Sequence, residues 1–437
     1  FNKPETAISH KSVNWLSTGS FNLDLGVSID NIAAIMLLVV SLVSFLVHLY
    51  SSEYMRGDAR FSRYYAYLGL FTFSMNGIVL ADSITMIYIF WELVGLSSYL
   101  IIGFWFEKNS AASASKKAFL TNRVGDIGMF IGIMMIYFVG ETHSFNLTDI
   151  IEKVKTTEID PTYLTIAGIL LFMGAIGKSA QLPLHIWLPD AMAGPTPASA
   201  MIHAATMVAA GVYLTIRIFP ILTFDALTYI AFTGAFTALF AAIIAITQND
   251  IKKVLAYSTV SQLAYITLGM ALANSLGMIG GALHIATHAL GKITLFMCAG
   301  CIYVATHKTK VSEMEGLGRV MPITFGAFFI GTISIIGLPP MGGSWSKWLL
   351  VISAIEAEHI FVVAAFMISS LLNIGYLLPI VARGYFLKGA TENYMVTPKI
   401  KEAPILCWLP LIITSIGCLI LFFYASEVRQ FLIPITY

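Results

Sequence analysis

The sequence predicts an all-α, polytopic membrane protein of about twelve transmembrane helices, a single membrane domain over residues 1–437. Three observations carry that expectation. Of the 437 residues 57% are hydrophobic and only 11% charged, with a mean hydropathy of +0.81; a soluble domain carries roughly a quarter charged residues. Apolar runs of about 20 residues, each enough to cross a hydrocarbon core of ~30 Å as a helix, recur from end to end. Lysine and arginine also divide unevenly between the two sets of alternating loops.

Hydropathy places the spans near 31–50, 63–81, 84–106, 118–139, 162–192, 196–219, 226–247, 253–273, 276–305, 321–356, 359–387 and 404–424. Two are too long for one straight helix and contain breakers, Pro183 in the first and Leu338-Pro-Pro-Met-Gly-Gly343 in the second. Both read as discontinuous helices, tolerated at membrane depth where the freed backbone lines protein or a wet cavity.

Alternating the spans puts fourteen Lys and Arg on one side, including Arg56, Arg60, Lys117, Lys252, Lys310, Arg319, Lys388 and Lys399. The other side receives five: Lys3, Lys11, Lys153, Lys155 and Arg429. By the positive-inside rule the 51–62 and 306–320 loops face the cytoplasm or matrix. Segment 140–161, with five acids against two lysines, faces the opposite compartment. Arg217 and Arg383 fall near span ends, where snorkelling to the interface is expected.

A net charge of +1 and the lack of any basic block exclude a nucleic-acid partner of the usual kind. Cys298, Cys301, Cys407 and Cys418 all lie inside apolar runs, which reads as helix packing rather than a disulfide framework. Cys298-Ala-Gly-Cys301 has redox-motif spacing without the strand-to-helix context. No cofactor or metal is expected. Phe1 to Val13 is polar and lacks an initiator Met and a signal-peptide pattern, so an internal piece of a longer gene product is expected.

A charge at bilayer depth costs a few kcal/mol or more, so ionisable residues inside spans usually face a bundle interior or aqueous cavity and mark an ion path. Here they form a series: Glu92, Arg123, Asp126, Lys178, His203, His284, His288, Lys292 and Lys347. Glu92 lies near mid-depth and Lys178 just before the Pro183 break. A carboxylate beside a buried amine favours its charged form and, on withdrawing, lets the proton go. The pair Glu92 and Lys178 is therefore expected to act as a proton switch. Arg123 and Asp126, three apart, can neutralise each other on one helix face, a structural reading no weaker than a functional one. His284, His288 and Lys292 recur every four residues, sharing one helix face at intervals of about 6 Å. Zinc does not suit a row that continues in a cation, whereas imidazoles flanked by lysines suit a relay through water.

The two breaks predict an inverted-topology repeat. Lys178 precedes the first and Lys347 follows the second, five spans apart, so the two units run in opposite directions. The halves are placed at 62–220 and 225–388.

Four motifs carry a family resemblance: Trp91-Glu-Leu-Val-Gly-Leu-Ser-Ser-Tyr-Leu-Ile-Ile-Gly-Phe-Trp105, Gly177-Lys-Ser-Ala-Gln-Leu-Pro-Leu-His-Ile-Trp-Leu-Pro-Asp190 running on to Pro197, Ala200-Met-Ile-His-Ala-Ala-Thr-Met207, and Asp250-Ile-Lys-Lys-Val-Leu-Ala-Tyr-Ser-Thr259. They resemble the antiporter-like proton-pumping subunits of respiratory complex I, within them chain L (subunit 5). The superfamily includes the large subunits of Mrp-type sodium/proton antiporters, to which His307–Arg319 and Gly337–Lys347 are more similar. By the resemblance the chain opens after the family's first helical hairpin and closes about where its fourteenth helix ends.

The resemblance implies that Glu92 is the essential glutamate, Lys178 its partner lysine and His203 a bridging residue. It makes Lys292 a central-axis lysine, Lys347 the terminal residue of the channel and Asp126 an acid near the Glu92 site. It also implies partner membrane subunits in a bacterial cytoplasmic or mitochondrial inner membrane, protons or sodium as the transported ion, and no redox centre in this chain.

Overall fold

Capping residues start many of the helices where the apolar runs begin. In the computed structural model, which describes residues 8–9, 13–18, 21–138, 143–387 and 400–435, Asp30 accepts from Ala33 N at 2.8 Å and opens α1 (Asn31–Tyr54). After α2 (Phe61–Leu80), Ser83 caps α3 (Ile84–Ile102), which is followed by α4 (Asn109–Phe138). Asn146 caps α5 (Leu147–Thr156), an amphipathic surface helix that buries Leu147 and Ile150. Asp160, with Pro161 at the first helical position, opens α6 (Pro161–Lys178).

The chain then turns through the short α7 (Trp187–Asp190) into α8 (Thr196–Ala204) and α9 (Met207–Ile218). Thr223, Asp250 and Asn274 cap α10 (Phe224–Thr247), α11 (Ile251–Ala271) and α12 (Ser275–Thr306). There follow α13 (Leu317–Val320), α14 (Pro322–Ile336), α15 (Gly343–Glu356), α16 (Ile360–Phe386), α17 (Ile405–Phe423) and α18 (Ala425–Leu432).

Ten helices, among the described residues, are long and apolar enough to cross a membrane, with Thr196–Ile221 taken as one. The other two expected spans are α2, and the broken pair α14 and α15. The bundle is inside-out relative to a soluble protein. Leu38, Phe45, Phe236 and Leu371 are exposed, while Lys178, His203 and Lys292 are fully buried. Lipid is the solvent that permits this.

Three features depart from the sequence expectation. A small β element precedes the first span: β2 (Val13–Thr18) pairs antiparallel with β3 (Phe21–Leu25), and β1 (Ile8–Ser9) with β4 (Ser28–Ile29). These strands are too short to register against the hydropathy signal. Span 162–192 ends as a regular helix at Lys178, since Pro183 cannot continue it and the chain folds into short turns. Span 196–219 is itself interrupted at Ala205 and Thr206, between α8 and α9, directly after His203. The break between α14 and α15 falls where expected: Gly337, at φ +90°, takes the left-handed position and ends α14.

Contacts between loops gather the basic set on one face. Arg60 pairs with Glu107 at 2.6 Å, Lys117 with Asp190 at 2.6 Å and Arg383 with Glu315 at 3.3 Å, and Asp250 forms a β-bridge with Lys310. On the opposite face Ser83 bridges Asn146, and Arg217 pairs with Asp30. Arg217 and Arg383 each meet an acid at a helix end, Asp30 and Glu315. Lys3, Lys11, Lys388 and Lys399 lie outside the described residues.

Candidate functional site

The sequence-predicted residues assemble in two groups. The first lies between α3, α4 and α6. A glycine seam brings α4 and α6 together: a Cβ on Gly125 would stand 2.6 Å from the Met173 carbonyl oxygen. The next residue, Asp126, is thereby delivered to Lys178, whose Nζ lies 3.6 Å from Asp126 Oδ2, both side chains being buried. Trp91 Nε1 donates to the other carboxylate oxygen at 2.6 Å. The Lys178 amine also lies 5.7 Å from the Trp91 ring centroid and packs on α3 at Gly95, where a Cβ would stand 2.7 Å from Nζ. Glu92 turns to the outer side of α3 and pairs with Arg123.

This corrects two expectations. Glu92 is not the direct partner of Lys178, and Arg123 does not neutralise Asp126. The helix rotations set by the glycine seam interleave the four charges as Glu92 with Arg123 and Asp126 with Lys178. The outer pair is the more exposed, 22% for Glu92 and 37% for Arg123.

The Lys178 amine is free to reach Asp126 because other groups take the carbonyls at the end of α6. Ser179 N donates to Ala175 O at 2.9 Å, Gln181 N to Ile176 O at 2.9 Å and Trp187 Nε1 to Gly177 O at 2.9 Å. At the second break the lysine itself does this work: Lys347 Nζ donates to Ile336 O, the last carbonyl of α14, at 3.2 Å.

The second group is arrayed along α12. His288 Nε2 donates to the His203 carbonyl at 3.2 Å, so the end of α8 lies against α12. Lys292 Nζ donates to Ser258 Oγ at 2.5 Å and to Leu255 O at 3.3 Å. His284 Nδ1 meets Ser346 Oγ at 2.9 Å. The His284 and His288 rings are 6.2 Å apart, as the four-residue spacing predicts. Lys347 Nζ reaches Ser370 Oγ at 3.2 Å and lies 4.8 Å over the Tyr265 ring. Both ring nitrogens of His203, Nε2 of His284 and Nδ1 of His288 lack a protein hydrogen-bond partner. Buried nitrogens of this kind need water or a proton donor.

The sequence reading missed Trp91, Ser258, Tyr265, Ser346 and Ser370, which hold the charged groups in place. Trp91 and Ser258 stand inside two of the long motifs, and Ser346 precedes Lys347. Tyr265 and Ser370 carry no local signal.

Comparison with known proteins gives the group a lineage. Residues 81–373 match the family described as NADH:quinone oxidoreductase/Mrp antiporter, TM, and residues 15–65 match the N-terminus of NADH-ubiquinone oxidoreductase (complex I) chain 5. NAD(P)H-quinone oxidoreductase chain 5 of Synechocystis sp. is 47% identical over 352 residues, covering 77% of this chain and 51% of that protein. The chloroplastic subunit 5 of Nephroselmis olivacea is 43% identical over 424 residues, 92% of this chain and 63% of its own length. The chain thus spans about half to two thirds of the relatives it matches.

Among solved structures, a chain of the Mrp complex from Dietzia sp. DQ12-45-1b superposes with a TM-score of 0.84 at 21% identity, covering 99% of this chain and 87% of that one. A chain of the membrane-bound sulfane sulfur reductase, an archaeal respiratory membrane complex, gives a TM-score of 0.86 at 24% identity over 97% of this chain and 85% of that one. The family match over residues 81–373 and the shared fold lead to one conclusion: this chain is a multi-pass membrane protein of the NADH:quinone oxidoreductase/Mrp antiporter family.

Proposed function

We propose that this chain is the proton-translocating membrane subunit of a complex I-type NAD(P)H:quinone oxidoreductase, seated with other membrane subunits in an energy-coupling membrane. One observation carries the reading: two sets of titratable groups are buried in the bundle, Asp126 with Lys178, and His203, His284, His288, Lys292 and Lys347, with several ring nitrogens lacking protein partners. Amines and imidazoles carry protons; they repel sodium, which oxygen ligands would have to hold. Lys178 beside the first break belongs to the half placed at 62–220 and Lys347 beside the α14–α15 break to the half placed at 225–388, so a proton passed from Lys178 toward Lys347 crosses from one half to the other.

The switch follows from the interleaved pairs. Arg123 stands one turn from Asp126 on α4 and can pair with that acid instead of Glu92. When it does, Lys178 loses its counter-ion and its proton is driven toward the histidines. When Arg123 returns to Glu92, Asp126 recharges the amine.

The family description also names Mrp antiporters, which supports a second reading as the large subunit of a multisubunit cation/proton antiporter. Co-purification separates the two: iron–sulfur and flavin subunits mark the oxidoreductase, and small hydrophobic subunits alone mark the antiporter. The test of translocation is proton uptake by vesicles bearing the assembled complex. Glu92→Gln and Lys178→Ala are each expected to abolish most pumping without preventing assembly. Wild-type uptake in either variant would remove that residue from the mechanism.

A further inference from the structure

On the basic face a groove of about 210 Å³ opens between α10, α11 and α16, lined by Gln248, Asn249, Ser312 and Arg383 at its rim and by Gly375, Tyr376 and Pro379 deeper in. That is room for a cluster of waters, each occupying ~30 Å³ as liquid. Two features make its wall polar below the rim. Pro379 stands inside α16 and has no N–H, so the Gly375 carbonyl, four residues earlier and in the same groove, loses its helical donor. A carbonyl freed at membrane depth needs water or another donor. Beneath it, Tyr376 donates to Asn373 Oδ1, while the fully buried Asn373 Nδ2 has no hydrogen-bond partner of its own.

From this floor two polar lines run inward. Ser258 is one turn deeper than the groove-lining Val254 on α11. The Tyr376 hydroxyl lies near it, and Ser258 Oγ is the group that accepts from Lys292 Nζ at 2.5 Å. The other line follows α16. Asn373 is close to the Tyr265 hydroxyl, which meets Ser369 Oγ at 2.6 Å and Ser370 Oγ at 3.1 Å, and Ser370 accepts from Lys347 at 3.2 Å. Ser369, Asn373 and Tyr376 recur at helical spacing and are all buried, forming a polar stripe where a lipid-facing helix would be apolar.

We propose that this groove is a water inlet on the basic face, with Tyr376 at its floor, oriented by Asn373, handing protons to Lys292 through Ser258, and with the hydroxyls of Tyr265 and Ser370 carrying the polar line on to Lys347. It rests on the proton-translocation reading and adds the side and place of loading. Each hydroxyl accepts one proton as it gives up another, so none of them ionises.

The test uses the assembled complex in vesicles. The native cysteines Cys298, Cys301, Cys407 and Cys418 of this chain are buried, so Gly375→Cys adds a distinct thiol. A membrane-impermeant, cationic methanethiosulfonate is expected to label it from the basic face only and to lower pumping at least five-fold relative to the same variant untreated. Tyr376→Phe keeps the ring and removes the hydroxyl; it is expected to slow pumping at least five-fold without loss of assembly. Labelling by an apolar maleimide but not by the cationic reagent would mark a lipid groove and overturn the inlet. Unimpaired pumping in Tyr376→Phe would do the same, provided that Lys292→Ala stops it. If Lys292→Ala also pumps normally, it is the translocation reading that fails.

Discussion

Lys178 Nζ lies 3.6 Å from Asp126 Oδ2, so the counter-ion of this buried amine is the aspartate of α4 and not the glutamate one turn from Gly95 on α3. Breaking a buried ion pair costs ~3–5 kcal/mol because it leaves one charge stranded. Asp126→Asn should therefore lower the thermal stability of the complex and cut pumping at least ten-fold. Adding Lys178→Met should restore stability but not pumping. Thermal unfolding and proton uptake on the same preparations check both; a double variant no more stable than the single one would refute the pairing.

Glu92→Gln separates a stability role from a transport role. Glutamine keeps the size and hydrogen-bonding groups of Glu92, and Asp126 one turn away remains to pair with Arg123, so assembly should be almost unaffected. Pumping should fall at least ten-fold because Arg123 then settles on Asp126.

Gly95→Ala probes the seat of the Lys178 amine. Alanine is favoured over glycine in a helix by roughly 1 kcal/mol, yet its Cβ would stand 2.7 Å from Lys178 Nζ and push the flexible amine away. A pumping loss of about ten-fold without a fall in melting temperature is expected. Full activity would mean that the amine position does not matter.

Ser258→Ala leaves the Lys292 amine with Leu255 O alone at 3.3 Å. Hydrogen bonds to charged groups are worth ~1.5–3 kcal/mol, and a ten-fold loss of pumping is expected. Ser258→Thr, which retains the hydroxyl, should recover most of it. Equal rates in the two variants would count against Ser258 as a partner of Lys292.

Asp30→Ala is the structural contrast. Asp30 caps α1 and pairs with Arg217, and the lost cap alone costs ~0.5–2 kcal/mol. The melting temperature should fall while pumping per assembled complex stays within about two-fold of wild type. A selective loss of pumping would bring Arg217 into the transport path.

The family, the membrane fold and the presence of the ionisable file were legible before any coordinates. Motifs such as Trp91–Trp105 and Gly177–Pro197 are long, and a lysine in an apolar run announces itself by its cost. The pairing inside the file was not legible. Glu92 and Lys178 stand out because each follows or precedes a visible landmark, whereas Asp126 looks self-neutralised by Arg123 one turn away. The interruption beside His203 escaped notice because Ala205 and Thr206 are ordinary helix residues.

Hydropathy, loop charge and helix-breaking prolines are properties of short stretches of chain, and the sequence by itself therefore determined that this protein spans a membrane many times, that prolines interrupt two of its spans and which residues are too polar for lipid. Which acid meets which base depends on how each helix is rotated about its axis and how closely its neighbour approaches. The glycine contact of Gly125 with Met173 and the rotations it sets, properties of packed pairs of helices, gave Lys178 to Asp126, and only the tertiary structure could decide that.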